Sequence, residues 1–330
     1  MSKNGSEREF IFSLYLKENL SILEKELNLN LAGVELETKY AGLKIDMYGI
    51  EQDLGVEVFI ENVLLKSDYS HQYRLLKLIE AIDTGIIIYQ AVAFKEKHIK
   101  QLRDKIMDSG KEINLYFVTI NPDLFQGIEL LNSETHKLRV YENLHILSDV
   151  SNPIQIRQDI SIVRPIKDSK IFKEKINWDF TKREDINLYL LKQLREKVPY
   201  FLSFQRQKSN LETLRIIPCG FGKSGVSLML TVEDMRHRAF VELRFKEDTP
   251  PIYFKIKEKK EKARKIIGEE LEFLDDKHTI SYRFKPYEDV RETVKCLVQI
   301  AECFIRTFSD DVLYGEDRHD MIEDLQYSLN

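Results

Sequence analysis

With 330 residues and a 43% hydrophobic content, the chain can bury one large or two ordinary cores, and two domains are expected. A formal net charge of −5 excludes a globally polyanion-binding protein, so any nucleic-acid surface must be a local patch. The cysteines, Cys219, Cys296 and Cys303, form no C-x-x-C pair, which excludes a cysteine-based zinc module and fits a reducing compartment. The polar N-terminus and the lack of a long apolar run predict a soluble, cytoplasmic protein without a membrane span.

In chain order, Phe10, Leu14, Leu20, Leu23 and Leu27 recur at helical spacing and predict one opening helix over 6–28. Three strands follow, Val34 to Tyr40, Lys44 to Gly49 and Val56 to Leu65, separated by Gly42 and by the turn residues 51–55. A helix from Ser70 to Thr84 leads into the buried-strand run Ile86-Ile87-Ile88-Tyr89. A charged helix from Lys95 to Ser109, with Gly110 as its C-cap, precedes a strand at Leu115 to Ile120. The order α-β-β-β-α-β-α-β predicts an α/β unit over 1–131 with a mixed sheet flanked by helices.

The pattern weakens over 132–184, read as a connecting segment holding at most one hairpin. A second α+β domain is expected over 185–330. Its elements are a helix to Val198, strands near Leu214 to Pro218, Val226 to Val232 and Ala239 to Phe245, a lysine-rich helix, a strand at Thr279 to Phe284, and a long final helix.

Chemistry concentrates in the second and third strands. If these pair antiparallel, the two-residue period puts Lys44, Asp46 and Tyr48 on one face of the first and Glu57, Phe59, Glu61 and Val63 on one face of the second. Asp46 and Glu61 can then converge on a divalent ion, with Glu57 as a third acid. Two carboxylates suit Mg²⁺, which keeps much of its water and needs few protein ligands. The plain alternative is a pair of solvated strand-end acids.

Asp46, then Ile60-Glu61-Asn62, then Ser67-Asp68-Tyr69-Ser70-His71 resemble the front half of a prokaryotic two-domain family with a restriction-endonuclease-like, PD-(D/E)XK core. The resemblance covers about residues 34–120. It extends more weakly to the second half through Phe240 to Phe245 and Ile267 to Phe273, where it implies architecture alone. It implies a mixed-sheet restriction-endonuclease-like core followed by a second α+β domain, Asp46 and Glu61 as metal ligands, and His71 where the next helix enters the site. One departure matters: the position that carries lysine in the superfamily, and glutamine in the family, is Val63, which can bond neither water nor phosphate. Lys66 is the candidate replacement.

Other motifs read more plainly. Gly222-Lys223-Ser224 lacks the glycine five residues earlier that a phosphate loop needs, since Ile217 stands there, so a glycine-rich hairpin is expected. Lys255 to Lys265 holds seven basic and two acidic residues. Lys257, Lys260 and Arg264 there are candidate phosphate contacts, against a solvated helix face. Val290, Val294, Leu297, Ala301, Phe304 and Phe308 form an apolar stripe, expected to pack on its own domain's sheet or to form a homodimer seam. Together these give a nuclease-like, DNA-associated protein, Mg²⁺-dependent if active, in defence against or maintenance of mobile DNA. The competing expectation is a nuclease-fold module that has lost its chemistry and binds protein or nucleic acid.

Overall fold

A computed structural model describes residues 5–134, 137–160, 178–206, 211–246 and 249–314; residues 135–136 and 161–177 of the expected connector, and 315–330 of the expected second domain, lie outside it. The described residues form two compact units, the first holding 5–134, 142–160 and 205–206, the second the remainder. The first is a mixed six-stranded sheet with helices and the second an antiparallel five-stranded sheet with helices.

The first unit opens with α1 (Gly5–Glu18) and α2 (Ser21–Leu27) rather than one continuous helix. The break falls at Asn19, whose backbone N–H and side-chain amide both return to the Tyr15 carbonyl, at 3.0 and 2.9 Å. A short polar side chain that bonds the backbone competes with helix propagation. Next come β1 (Leu31–Tyr40), β2 (Leu43–Glu51) and β3 (Val56–Lys66), an antiparallel meander.

The chain then crosses through α3 (Tyr69–Ala81) to β4 (Thr84–Ala93), parallel to β3, and through α4 (Glu96–Ser109) to β5 (Glu112–Ile120), parallel to β4. Crossover helices cover parallel strands, which is why Ile86, Ile87 and Ile88 are wholly buried. Gly110 ends α4 in the left-handed region at φ 65°, as its position predicts. After α5 (Leu124–Ser133), β6 (Ile154–Ile160) pairs antiparallel with β5 and completes the order β1-β2-β3-β4-β5-β6. That strand lies within the stretch read from sequence as a connector.

Both ends of α3 are fixed by side chains. Asp68 caps its start by accepting from the His71 backbone N–H at 3.0 Å. At its end the Lys111 ammonium donates to the carbonyls of Ile79, Glu80 and Ile82 at 2.9, 2.8 and 2.7 Å. The helix is therefore held firmly behind the residues it presents.

In the second unit, α6 (Lys137–Glu142), α7 (Arg183–Lys197) and α8 (Leu202–Gln205) precede β7 (Ile217–Gly220), β8 (Val226–Thr231) and β9 (Ala239–Phe245). The expected lysine-rich helix is two, α9 (Pro250–Glu258) and α10 (Lys260–Ile267), broken at Lys259. Then come β10 (Leu271–Leu274), β11 (Thr279–Phe284) and α11 (Val290–Tyr314), giving the sheet order β10-β11-β9-β8-β7. Gly220 to Gly225 is the β7–β8 hairpin turn, with Gly222 and Gly225 at φ 88° and 83°. Val294, Leu297, Ala301, Phe304 and Phe308 are buried in this unit's own core, so the apolar stripe of α11 is consumed there.

Candidate functional site

Met47 stands opposite Ile60 in the β2–β3 ladder, so the next rung sets Asp46 against Glu61. There the ladder changes partners, because the Asn62 backbone N–H donates to Asp46 Oδ2 at 2.9 Å. Successive residues of β3 face opposite sides of the sheet. Asn62 bonds Ser13 of α1 through its side-chain amide at 2.8 Å, while Glu61 faces α3 and meets Arg74, Nη2 to Oε2 at 3.1 Å. Glu61 is 1% exposed, and neither carboxylate oxygen accepts a hydrogen bond from any described residue. The contact with Arg74 is thus an ion pair whose geometry falls short of a hydrogen bond.

The electrostatics form one coupled set. Burial, then the charge of Asp46, pushes the Glu61 carboxyl well above the usual carboxylate range, against the pull of Arg74. Asp46 keeps part of its surface open, yet desolvation still raises its carboxyl, against the Asn62 N–H and the charges of Arg74 and His71. Glu9 of α1 belongs to the same set: burial and the charge of Asp46 push it up to about 7. Three acids whose carboxyls are all held above the usual range, near the Arg74 guanidinium, make a centre short of positive charge.

That shortage is what a cation would meet. The donors are all carboxylate oxygens, the set preferred by a hard divalent ion, and Glu61 has unbonded oxygens to offer. Among the described residues no group of three or more His, Cys, Asp or Glu is arranged to hold a metal ion. A divalent ion here would have to be content with two carboxylates and water, and Asp46 and Glu61 are the residues that would hold it.

The other candidate residues fall in different places. Glu57 lies about 13 Å before Glu61 along β3, and the hydroxyls of Tyr40 and Tyr48 hold its carboxylate at 3.0 and 2.8 Å, so the structure does not bring it to the pair. Lys66 is exposed at the far end of β3, past a register irregularity after Val63. Val63 itself is buried among Leu75, Tyr89 and Ala91 as a core residue. His71 is held to Asp68 through Nδ1 at 2.6 Å, and its charge acts on Asp46.

In the second unit Lys257 pairs with Asp275 at 2.6 Å, Lys260 approaches Glu261 at 3.9 Å, and Arg264 donates to the Leu271 carbonyl at 3.1 Å. The basic stretch is thus partly neutralised by its own acids. Glu9 and Arg74 escaped the sequence reading. Arg74 carried one usable signal, an arginine one turn beyond His71 on the helix that follows the site strand; Glu9 carried none, because only the docking of α1 on the sheet brings it near.

No protein-family model matches the chain, and neither does any curated protein. Among solved structures it is similar to SfsA from Pyrococcus furiosus in complex with Ca²⁺, at 16% identity and a TM-score of 0.23, over 45% of this chain and 63% of that one. At that level of likeness the reading of this chain rests on its own residues. Among the described residues no helix is long and apolar enough to cross a membrane.

Proposed function

We propose that the first unit is a nuclease-like, DNA-associated domain whose Asp46–Glu61 pair takes Mg²⁺ and hydrolyses phosphodiester bonds. The observation that carries this reading is the Glu61 carboxylate, buried at the sheet centre with no hydrogen bond to either oxygen. A carboxylate so placed costs several kcal/mol, which one ion pair with Arg74 and no hydrogen bond offsets only in part. Bound Mg²⁺ supplies charge neutralisation at the phosphate and a more acidic water.

The chain's own residues then divide the remaining work. Asp46 and Glu61 hold the ion. Arg74, released from Glu61, turns its guanidinium to a non-bridging phosphate oxygen, taking up the charge-neutralising part of the work that Val63 cannot do. In the reaction a water oxygen bonds phosphorus and gives up a proton to solvent, one phosphorus–oxygen bond breaks, and the leaving oxygen gains a proton from solvent. A role in defence against or maintenance of mobile DNA fits such an activity.

The second reading is a module that keeps the fold without the chemistry and binds protein or nucleic acid. The apolar burial of Val63 and the Arg74 guanidinium already paired with Glu61 favour it. Incubation of supercoiled plasmid and single-stranded DNA with the protein in Mg²⁺ or Mn²⁺ separates the two. The first reading expects nicking that Glu61→Gln lowers at least about 100-fold; equal nicking by both proteins, or none by either, leaves the module.

A further inference from the structure

Beside Glu61 a second buried polar group is left without a partner. Tyr89 of β4 stands opposite Glu61 in the parallel β3–β4 ladder, and ladder partners project to the same face of a sheet. Both side chains therefore lie on the α3 side, where Tyr89 packs in one core with Val63, Leu75 and Leu78. The phenol is wholly buried, and its hydroxyl makes no hydrogen bond to any described residue. A buried hydroxyl in that state costs free energy and calls for an explanation.

Two rings fix where the hydroxyl points. Phe94 meets the Tyr89 ring edge-on, centroids 5.2 Å apart and planes at 78°, and Phe117 lies 6.4 Å away. The charges of Asp68, Glu61 and Arg74 all act on the phenol, which sets it at the inner wall of the carboxylate centre. Burial, then the charge of Asp68, pushes the phenol up from its ordinary value, so it keeps its proton and serves as a donor. The Asp68 backbone N–H approaches the phenol oxygen without closing a hydrogen bond, and it addresses the oxygen, leaving the O–H proton unused.

Two carboxylates act on this donor, and they differ in what they can accept. Asp68 is engaged by His71: Oδ1 accepts from the backbone N–H at 3.0 Å, and Oδ2 lies 2.6 Å from Nδ1. Glu61 has both oxygens free of hydrogen bonds, with only the ion pair of Oε2 to Arg74. A donor without an acceptor thus adjoins an acceptor without a donor. Carboxylates that ligate a metal are in turn hydrogen-bonded by neighbouring groups, which fix their orientation.

We propose that Tyr89 is a positioning residue of the carboxylate centre: when Glu61 gives one oxygen to a divalent ion, the Tyr89 hydroxyl donates to the other, directly or through one water. This role rests on the reading of Asp46 and Glu61 as ion ligands and adds the group that orients Glu61 once Arg74 has turned away. Tyr89→Phe keeps the ring that Phe94 and Phe117 hold, so it removes the hydroxyl alone.

The test is calorimetric titration of the full chain with Mn²⁺ at pH 8, wild type beside Tyr89→Phe, with the melting temperature of each in EDTA. The variant is expected to bind Mn²⁺ about 10- to 100-fold more weakly. Its melting temperature without metal is expected to equal or exceed that of the wild type, because the lost hydroxyl had no partner. Tyr253→Phe is the contrasting control. That phenol, equally buried in the second unit, donates to Asp275 Oδ1 at 2.7 Å, so its loss should lower the melting temperature and leave Mn²⁺ affinity unchanged.

Equal Mn²⁺ affinity in wild type and Tyr89→Phe overturns the role of Tyr89 and leaves the ion site standing. A melting temperature in EDTA lowered as far as in Tyr253→Phe makes the hydroxyl structural and also overturns it. Absence of saturable Mn²⁺ binding in the wild type removes the centre and Tyr89's role with it. Tyr89-dependent Mn²⁺ binding by a protein that nicks no DNA upholds the role and removes the hydrolytic reading alone.

Discussion

Each of the two units buries a glutamate in its central sheet, and the two are treated in opposite ways. Glu242 on β9 is 3% exposed and fully engaged: Arg244 donates to Oε2 through Nε and Nη2 at 2.9 and 2.5 Å, while Arg283 Nη2 and the Ser281 hydroxyl reach Oε1 at 2.6 and 3.1 Å. Burial pushes its carboxyl up, but the two arginines outweigh that and hold it below the usual range. Glu61 is as deeply buried, has one imperfect ion pair, and is pushed the other way by burial and Asp46. Glu242 is a carboxylate satisfied by its own fold, and Glu61 is one left wanting a partner. Burial alone does not distinguish structure from site; the state of hydrogen bonding does.

The largest effect that can break this comparison comes from removing the acids. Glu242→Ala strands Arg244 and Arg283 and is expected to lower unfolding stability by about 3–5 kcal/mol in urea titrations. Glu61→Gln removes a poorly compensated charge, so at pH 8 it is expected to leave stability unchanged or raised. If Glu61→Gln destabilises as much as Glu242→Ala, Glu61 is an ordinary structural acid and the contrast collapses.

Arg74→Ala sharpens the same point. Removing the cation paired with Glu61 is expected to cost about 2 kcal/mol at pH 8. The loss should shrink as pH falls, because the raised carboxyl of Glu61 then takes a proton in place of the lost cation. A loss independent of pH would mean that Arg74 stabilises by packing.

The smallest effect is the share of Glu9 in the pH profile. Its carboxyl, pushed up to about 7, keeps in the folded state a proton that the unfolded chain releases near 4.5. Stability from this group therefore falls as pH rises from about 4.5 to 7 and is level above that. Glu9→Gln is expected to remove this part of the slope in melting temperatures taken between pH 5 and pH 8, while the part due to Asp46 and Glu61 remains. An unchanged slope would take Glu9 out of the coupled set.

Much of this fold is legible in the chain because periodicity and turn chemistry are local. The β2–β3 hairpin, its two-residue alternation and the cap at Gly110 follow from neighbouring residues, and β9 and β11 run over the stretches their composition predicts. β6 leaves little trace in the sequence because an edge strand needs to be apolar on one side only: among Ile154 to Ile160, only Ile154 is buried. The helix break at Lys259 has no Gly or Pro to announce it. At the site, strand alternation predicts that Asp46 and Glu61 face one another across the hairpin and the family resemblance points to His71, whereas Glu9 and the role of Arg74 depend on how α1 and α3 dock on the sheet. Glu57 was drawn in by shared strand parity, and two tyrosine hydroxyls hold it elsewhere.

Isothermal titration of the full chain with Mn²⁺ at pH 8, beside Glu61→Gln, addresses the carboxylate centre most directly. A saturable isotherm for one ion in the wild type, abolished by the substitution, is the predicted result. No saturable binding, or the same isotherm in both proteins, would contradict it.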